Sequence, residues 1–193
     1  MLRAYLRRIP DPRRKQGKIY NLEGLLLLSI LALLSGASSY RDIARFIRGR
    51  FEQLKAWFGL HWEHAPSASG CRKVLCRLSP SWVEEAFRAY SEQLSRIQQG
   101  DAQAPQGLAL DGKALKGSFD HGKGNAMLQI VSVFCTHNLL ILGHVEIPDK
   151  TNEIPVAQAM IQDLKLPEGS VYTLDAMHCQ KKLSRQSPRQ GVN

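Results

Sequence analysis

The chain has 193 residues, 44% of them hydrophobic, and a formal net charge of +9 from 26 basic and 17 acidic residues. That apolar share excludes a disordered chain, and the length allows one medium domain or two small ones. The charge is lopsided. Residues 1–100 hold 17 Lys/Arg against 8 Asp/Glu, while residues 101–193 hold 9 against 9. The first half therefore suits a polyanion partner, or in the plainer alternative carries a solvated basic surface. Cys71, Cys76, Cys135 and Cys179 have no C-x-x-C spacing, which argues against zinc and a disulfide framework and fits reduced thiols in a cytoplasmic protein.

Residues 1–20 are basic and broken by Pro10 and Pro12, and Arg13-Arg14-Lys15 is expected to be exposed. Leu25 to Leu34 is almost continuously apolar and follows a basic stretch, as in a signal peptide. The run is shorter than the ~20 residues of a membrane span, so a buried core helix is expected and no membrane. Asn21 is placed to cap that helix. Ser39 with Asp42 marks a second helix start in the manner of a capping box. On that helix Ile43, Ala44, Phe46 and Ile47 are core candidates, and Arg41, Arg45 and Arg48 point outward. Phe51, Leu54, Trp57 and Phe58 recur at helical spacing and read as core, and Gly59 to Pro66 reads as a loop. A short basic helix follows from about Ser69 to Leu78 with Arg72, Lys73 and Arg77. A long amphipathic helix then carries Val83, Phe87, Tyr90, Leu94 and Ile97 on one stripe. A short basic helix in a helical cluster suits a helix-turn-helix-like DNA-binding arrangement, although a bundle with a charged face has the same pattern.

Residues 98–107 are polar, small and proline-broken, and mark a linker between a helical domain over 1–97 and a second domain over 108–193. Leu108–Leu110 reads as a strand. Met127 to Phe134 and Leu139 to Ile147 read as a hairpin. Asn152 caps a helix with Ala157, Met160, Ile161 and Leu164 on one face, and Val171–Leu174 is a last strand. The fold class is α+β: an N-terminal helical domain followed by an incomplete RNase H-like mixed α/β domain. Should the last strand lie parallel beside the first, Asp111 and Asp175 emerge at one sheet edge. Paired aspartates are suited to holding divalent metal for phosphodiester chemistry, because a cation between them relieves their repulsion. Asp111-Gly112 also fits an ordinary turn.

Three stretches resemble the DDE-type insertion-sequence transposases of the H-repeat-associated group. They are Asp111-Gly112-Lys113-Ala114-Leu115-Lys116-Gly117-Ser118, Thr151-Asn152-Glu153-Ile154, and Leu174-Asp175-Ala176-Met177-His178-Cys179-Gln180-Lys181-Lys182. In the first half, Leu31 to Ala37 with Ser39-Tyr40-Arg41-Asp42-Ile43 is similar to the helical domain that precedes the catalytic domain in that group. The resemblance implies Asp111 and Asp175 as catalytic acids and metal ligands for Mg²⁺ or Mn²⁺, and a DNA transposition activity that cuts element ends and joins them to a target. DNA contacts are expected at Arg13, Arg14, Lys15, Arg72, Lys73, Arg77, Lys113 and Lys116, with a second copy or an intact transposase as protein partner.

The family's third acid, a glutamate on a later helix, would lie beyond Asp175, and residues 176–193 contain no Asp or Glu. The expectation is a C-terminally truncated transposase, inactive alone. The alternative is a non-catalytic DNA-binding remnant that occupies element ends or interferes with intact transposase. Glu146 and Glu153 are weak substitutes for the missing acid, each with a plain reading as a solvent-facing strand residue and a helix N-terminal charge.

Overall fold

In the computed structural model the apolar run becomes helix α2 (Leu22–Leu34), with Leu25 and Leu28 fully buried. The structure describes residues 1–99, 105–114, 129–147, 153–164 and 168–174. They fall into two units, Met1–Phe87 and the chain from Arg88 onward.

The first unit is helical: α1 (Leu2–Leu6), a 3-10 turn at Lys15–Gly17, α2, α3 (Tyr40–Gly49), α4 (Phe51–Phe58), α5 (Ala68–Leu75) and the first turns of α6 (Pro80–Gln99). Helix α2 is apolar all round and so is surrounded, against α1 and α3 and against Leu54, Leu60 and Trp62. Its last turn departs from the expected burial: Leu33 and Leu34 are 54% and 80% exposed. By length and composition Lys15–Leu34 could cross a membrane, yet Leu25 and Leu28 are spent on this core. Glu23 of α2 accepts from Arg7 Nε over 2.7 Å and from Arg3 Nε, which clamps α1 onto α2.

Three expectations change here. Asn21 stands at the N-cap of α2 but makes no side-chain cap; its Oδ1 accepts from the Trp62 indole instead. A buried indole N–H needs an acceptor more than a solvated helix end does. Trp57 is 72% exposed rather than core, and the buried tryptophan is Trp62, at 3%, with Trp82 packed against the same core at its edge. Arg13 is buried, not exposed. Its guanidinium donates to both carboxylate oxygens of Asp11 and to the carbonyls of Gly17 and Tyr20, and so fixes the turn before α2. The Ser39 start holds: the Ser39 hydroxyl accepts from Asp42 N–H at 3.2 Å and donates to the Asp42 carboxylate at 2.6 Å.

The second unit holds a four-stranded mixed sheet in the order β3-β2-β1-β4, built from β1 (Gly107–Ala114), β2 (Gln129–Cys135), β3 (Leu140–Ile147) and β4 (Val171–Leu174). Strands β1, β2 and β3 run antiparallel in turn, and β4 lies parallel to β1. Helix α7 (Glu153–Asp163) packs Met160, 2% exposed, against the core of Leu108, Leu110, Val131, Val133 and Leu142. From the later part of α6, Arg88 donates to the His144 carbonyl over 2.8 Å and Ser95 accepts from Asn138 over 2.9 Å. The expected α6 stripe is broken at both ends. Val83 and Ile97 are exposed, and the buried positions are Ala86, Ser91 and Ser95. Phe87, Tyr90 and Leu94 of the stripe are half-buried.

Candidate active site

Strand β1 alternates with period two. Leu108 and Leu110 face the core, while Asp111 and Lys113 are exposed. The strand does not end on its aspartate. It continues through Gly112↔Val131 and Ala114↔Gln129, so Asp111-Gly112 is ladder rather than turn. Cross-strand pairs share a face, and the register places Asp111 opposite Ser132 and Ser132 opposite His144. One row therefore runs Asp111, Ser132, His144 across three strands, on the face away from Leu110. The sequence gives no sign of this row. A bulge between Val133 and Phe134 adds Leu142 on β3 and reverses the parity of everything after it.

The base of β1 is fastened to β4. Gln106 O accepts from Val171 N–H at 2.8 Å, Gln106 N–H donates to Ser170 Oγ at 3.2 Å, and Thr173 Oγ1 donates to Leu108 O at 3.0 Å. The buried Gln106 side chain also accepts from the Cys135 thiol at 3.4 Å, which ties β2 to the same corner. This fixes the parallel register at Leu110↔Leu174. The next residue in sequence after each is an aspartate. Asp175 and Lys116 lie outside the described residues, as do Asn152 and residues 176–193.

An exposed carboxylate is a hard oxygen donor and fits magnesium or manganese in kind. Among the described residues no group of three or more His, Cys, Asp or Glu is gathered to hold an ion. Glu146 is exposed and shares the Asp111 face. Its partner Ile130 stands opposite Lys113, so it is two strands, about 10 Å, from β1 and too far to share an ion with Asp111.

In the helical unit, Arg14 and Lys15 are exposed at the 3-10 turn, and Arg72, Lys73 and Arg77 are exposed along and just after α5. Helix α5 packs on α3, and Tyr40 Oη meets Cys76 Sγ at 3.4 Å. That contact, with burial, raises the tyrosine pKa.

A family profile described as DDE_Tnp_1-associated matches residues 3–91. The chain is 31% identical over 181 residues to YncI of Escherichia coli strain K12, named as a candidate transposase, with 93% of this chain and 70% of that protein covered. To YhhI of the same strain, named as an H repeat-associated candidate transposase, it is 29% identical over 183 residues, covering 95% of this chain and 47% of the relative. To YbfL of that strain it is 30% identical over 183 residues, covering 95% and 47%. The chain thus spans about half the length of several curated relatives it matches. No solved structure matches it.

Proposed function

This chain belongs to the H-repeat-associated, transposase-like proteins, and on that footing we propose that it serves DNA transposition. In this reading the helical unit holds DNA, and the sheet belongs to an RNase H-like catalytic domain whose Asp111 and Asp175 hold Mg²⁺ or Mn²⁺. The observation that carries the reading is the parallel pairing of β1 with β4 at Leu110↔Leu174, where each strand runs in sequence into an aspartate.

The metal, when bound, would polarise the scissile phosphate and activate the attacking oxygen. The chain's own residues do the rest. Asp111 presents its carboxylate from a strand paired with β2 at Asp111 itself and with β4 up to Leu110, so its position costs little reorganisation. Lys113 follows on the same exposed face and is placed to meet a phosphate oxygen. The cytoplasm, where the element's DNA lies, is the proposed site of action.

The test is Mn²⁺ binding by the 193-residue chain, followed by electron paramagnetic resonance. Asp111→Asn and Asp175→Asn should each weaken binding at least tenfold. Binding indifferent to both substitutions sinks the metal reading.

A second reading, DNA binding without catalysis, is favoured by the concentration of the whole net charge in residues 1–100. It expects salt-sensitive DNA binding that needs no metal and survives Asp111→Ala.

A further inference from the structure

Helix α3 carries Arg41, Arg45 and Arg48, all exposed. At about 100° per residue these three fall within a sector of roughly 60°, on a flank of the helix beside its buried stripe of Ile43, Ala44 and Ile47. Of the α5 cations, Arg72 and Lys73 stand about 100° apart round the helix and Arg77 lies past its end, in the turn after Cys76. The α3 arginines therefore form a ridge, and the α5 cations form a scattered field.

The ridge is about 10 Å long at 1.5 Å per residue, a length over which duplex DNA presents roughly six charges. Arg45 is tied loosely to Asp42 at 3.3 Å, with its own side chain 74% exposed, so it can turn to a phosphate at little cost. Asp42 is already engaged by Ser39, whose hydroxyl beside it helps hold its carboxyl below the usual range. At the C-terminal end the ridge meets an open hollow of about 660 Å³ lined by Arg48, Arg50, Phe51, Glu52, Glu63 and His64. Arg50 lies 4.8 Å over the Phe46 ring. Glu52 and Glu63 offset the charge of Arg48 and Arg50 within the hollow, so the uncompensated positive charge lies along the ridge.

We propose that the Arg41–Arg45–Arg48 ridge of α3 is the principal phosphate-contacting surface of the helical unit, with duplex DNA as its partner. This rests on the DNA reading above and goes beyond it by assigning the contact to α3 rather than to the basic helix α5.

The test measures binding of the intact 193-residue chain to a mixed-sequence 20-base-pair duplex between 50 and 200 mM salt. Three proteins are compared: the unaltered chain, the triple variant Arg41→Gln/Arg45→Gln/Arg48→Gln, and the triple variant Arg72→Gln/Lys73→Gln/Arg77→Gln. Each phosphate contact contributes about 0.9 to the slope of log affinity against log salt. The α3 variant should reduce that slope by about 2 to 3 and weaken binding at least tenfold at 100 mM salt, whereas the α5 variant should change the slope by about 1 or less. Circular dichroism should show the helix content of all three unchanged, since every substituted side chain is exposed. An α3 variant that binds as the unaltered chain does, or an α5 variant that loses more, overturns this assignment while leaving the DNA reading intact. An unaltered chain that does not bind duplex DNA overturns both.

Discussion

The indole N–H of Trp62 donates to Asn21 Oδ1 over 2.8 Å, and the two side chains close over Gly24 of α2. A Cβ at Gly24 would stand 2.9 Å from Asn21 Oδ1 and 3.0 Å from Trp62 Cζ2. Glycine inside a helix ordinarily costs about 1 kcal/mol against alanine. Here the sign reverses, because the loop from Leu60 to Trp62 needs that space.

Gly24→Ala should accordingly lower the stability of the helical unit by about 1–3 kcal/mol despite its better helix propensity. Asn21→Ala should lower it by a similar amount by leaving the buried indole without its acceptor. Urea unfolding followed by tryptophan fluorescence decides both. A stabilised Gly24→Ala protein would show that the loop packs elsewhere.

Arg13 and Arg14 are neighbours in sequence with opposite duties. Arg13→Ala strands Asp11 and the Gly17 and Tyr20 carbonyls and should cost roughly 2–4 kcal/mol. Arg14→Ala, at an exposed site, should stay within about 0.5 kcal/mol. Thermal unfolding of the two variants side by side measures the difference.

Acid should attack the same corner. The hydrogen bond from Arg13 holds the Asp11 carboxyl below its usual range, against the upward pull of burial. At Glu23 burial pushes upward, but the bonds from Arg7 and Arg3 more than offset it. Folded pKa values below the unfolded ones give stability that is fully present above about pH 4 and is lost as pH falls through the folded values. Urea midpoints should hold between pH 7 and pH 5 and decline below pH 4. Asp11→Asn should make that decline shallower; an unchanged decline would place the acid-sensitive groups elsewhere.

The turn between β2 and β3 holds Leu139, 72% exposed, at φ 58°, in the left-handed region that a leucine avoids. The neighbouring Asn138 keeps it there: its Oδ1 accepts from Leu140 N–H at 3.2 Å while its Nδ2 donates to Ser95. Leu139→Asn or Leu139→Gly should stabilise the protein by on the order of 1 kcal/mol and so raise the melting temperature. Asn138→Ala should lower it. Differential scanning calorimetry reads both changes.

Much of this was legible in the residues themselves. Helix α2 is apolar on every side, β2 and β3 are β-branched runs about a polar turn, and Leu108–Leu110 and Val171–Leu174 read as strands, although β1 runs on to Ala114. A helix between β3 and β4 suits a crossover connection, but that β4 lies parallel beside β1 was open in the sequence and is set by the structure. What could not be read depended on contacts between distant positions. Nothing local distinguishes Trp62 in a loop from Trp57 on a helix, yet Trp62 is the core residue because Gly24, 38 positions earlier, leaves room for it. Arg13 looks like Arg14 until Asp11, Gly17 and Tyr20 are folded round it. On the sheet, Asp111 could be singled out from sequence, but its row-mates could not: Ser132 depends on the β1–β2 register across distant positions, and His144 also on a one-residue bulge between β2 and β3.

The pairing of β1 with β4 also has a history in time. The β2–β3 hairpin closes over a turn of a few residues, whereas Leu110 meets Leu174 only after a loop of roughly 60 has been drawn in, a difference of about 2 kcal/mol in closure entropy. Among the described residues strand β4 is four residues long and lies at the sheet's edge. It should be the last strand to dock during folding and the first to release during local opening, with the fastest amide exchange in the sheet. The spacing on which the proposed metal chemistry depends would then be set by the strand expected to be the least protected of the sheet.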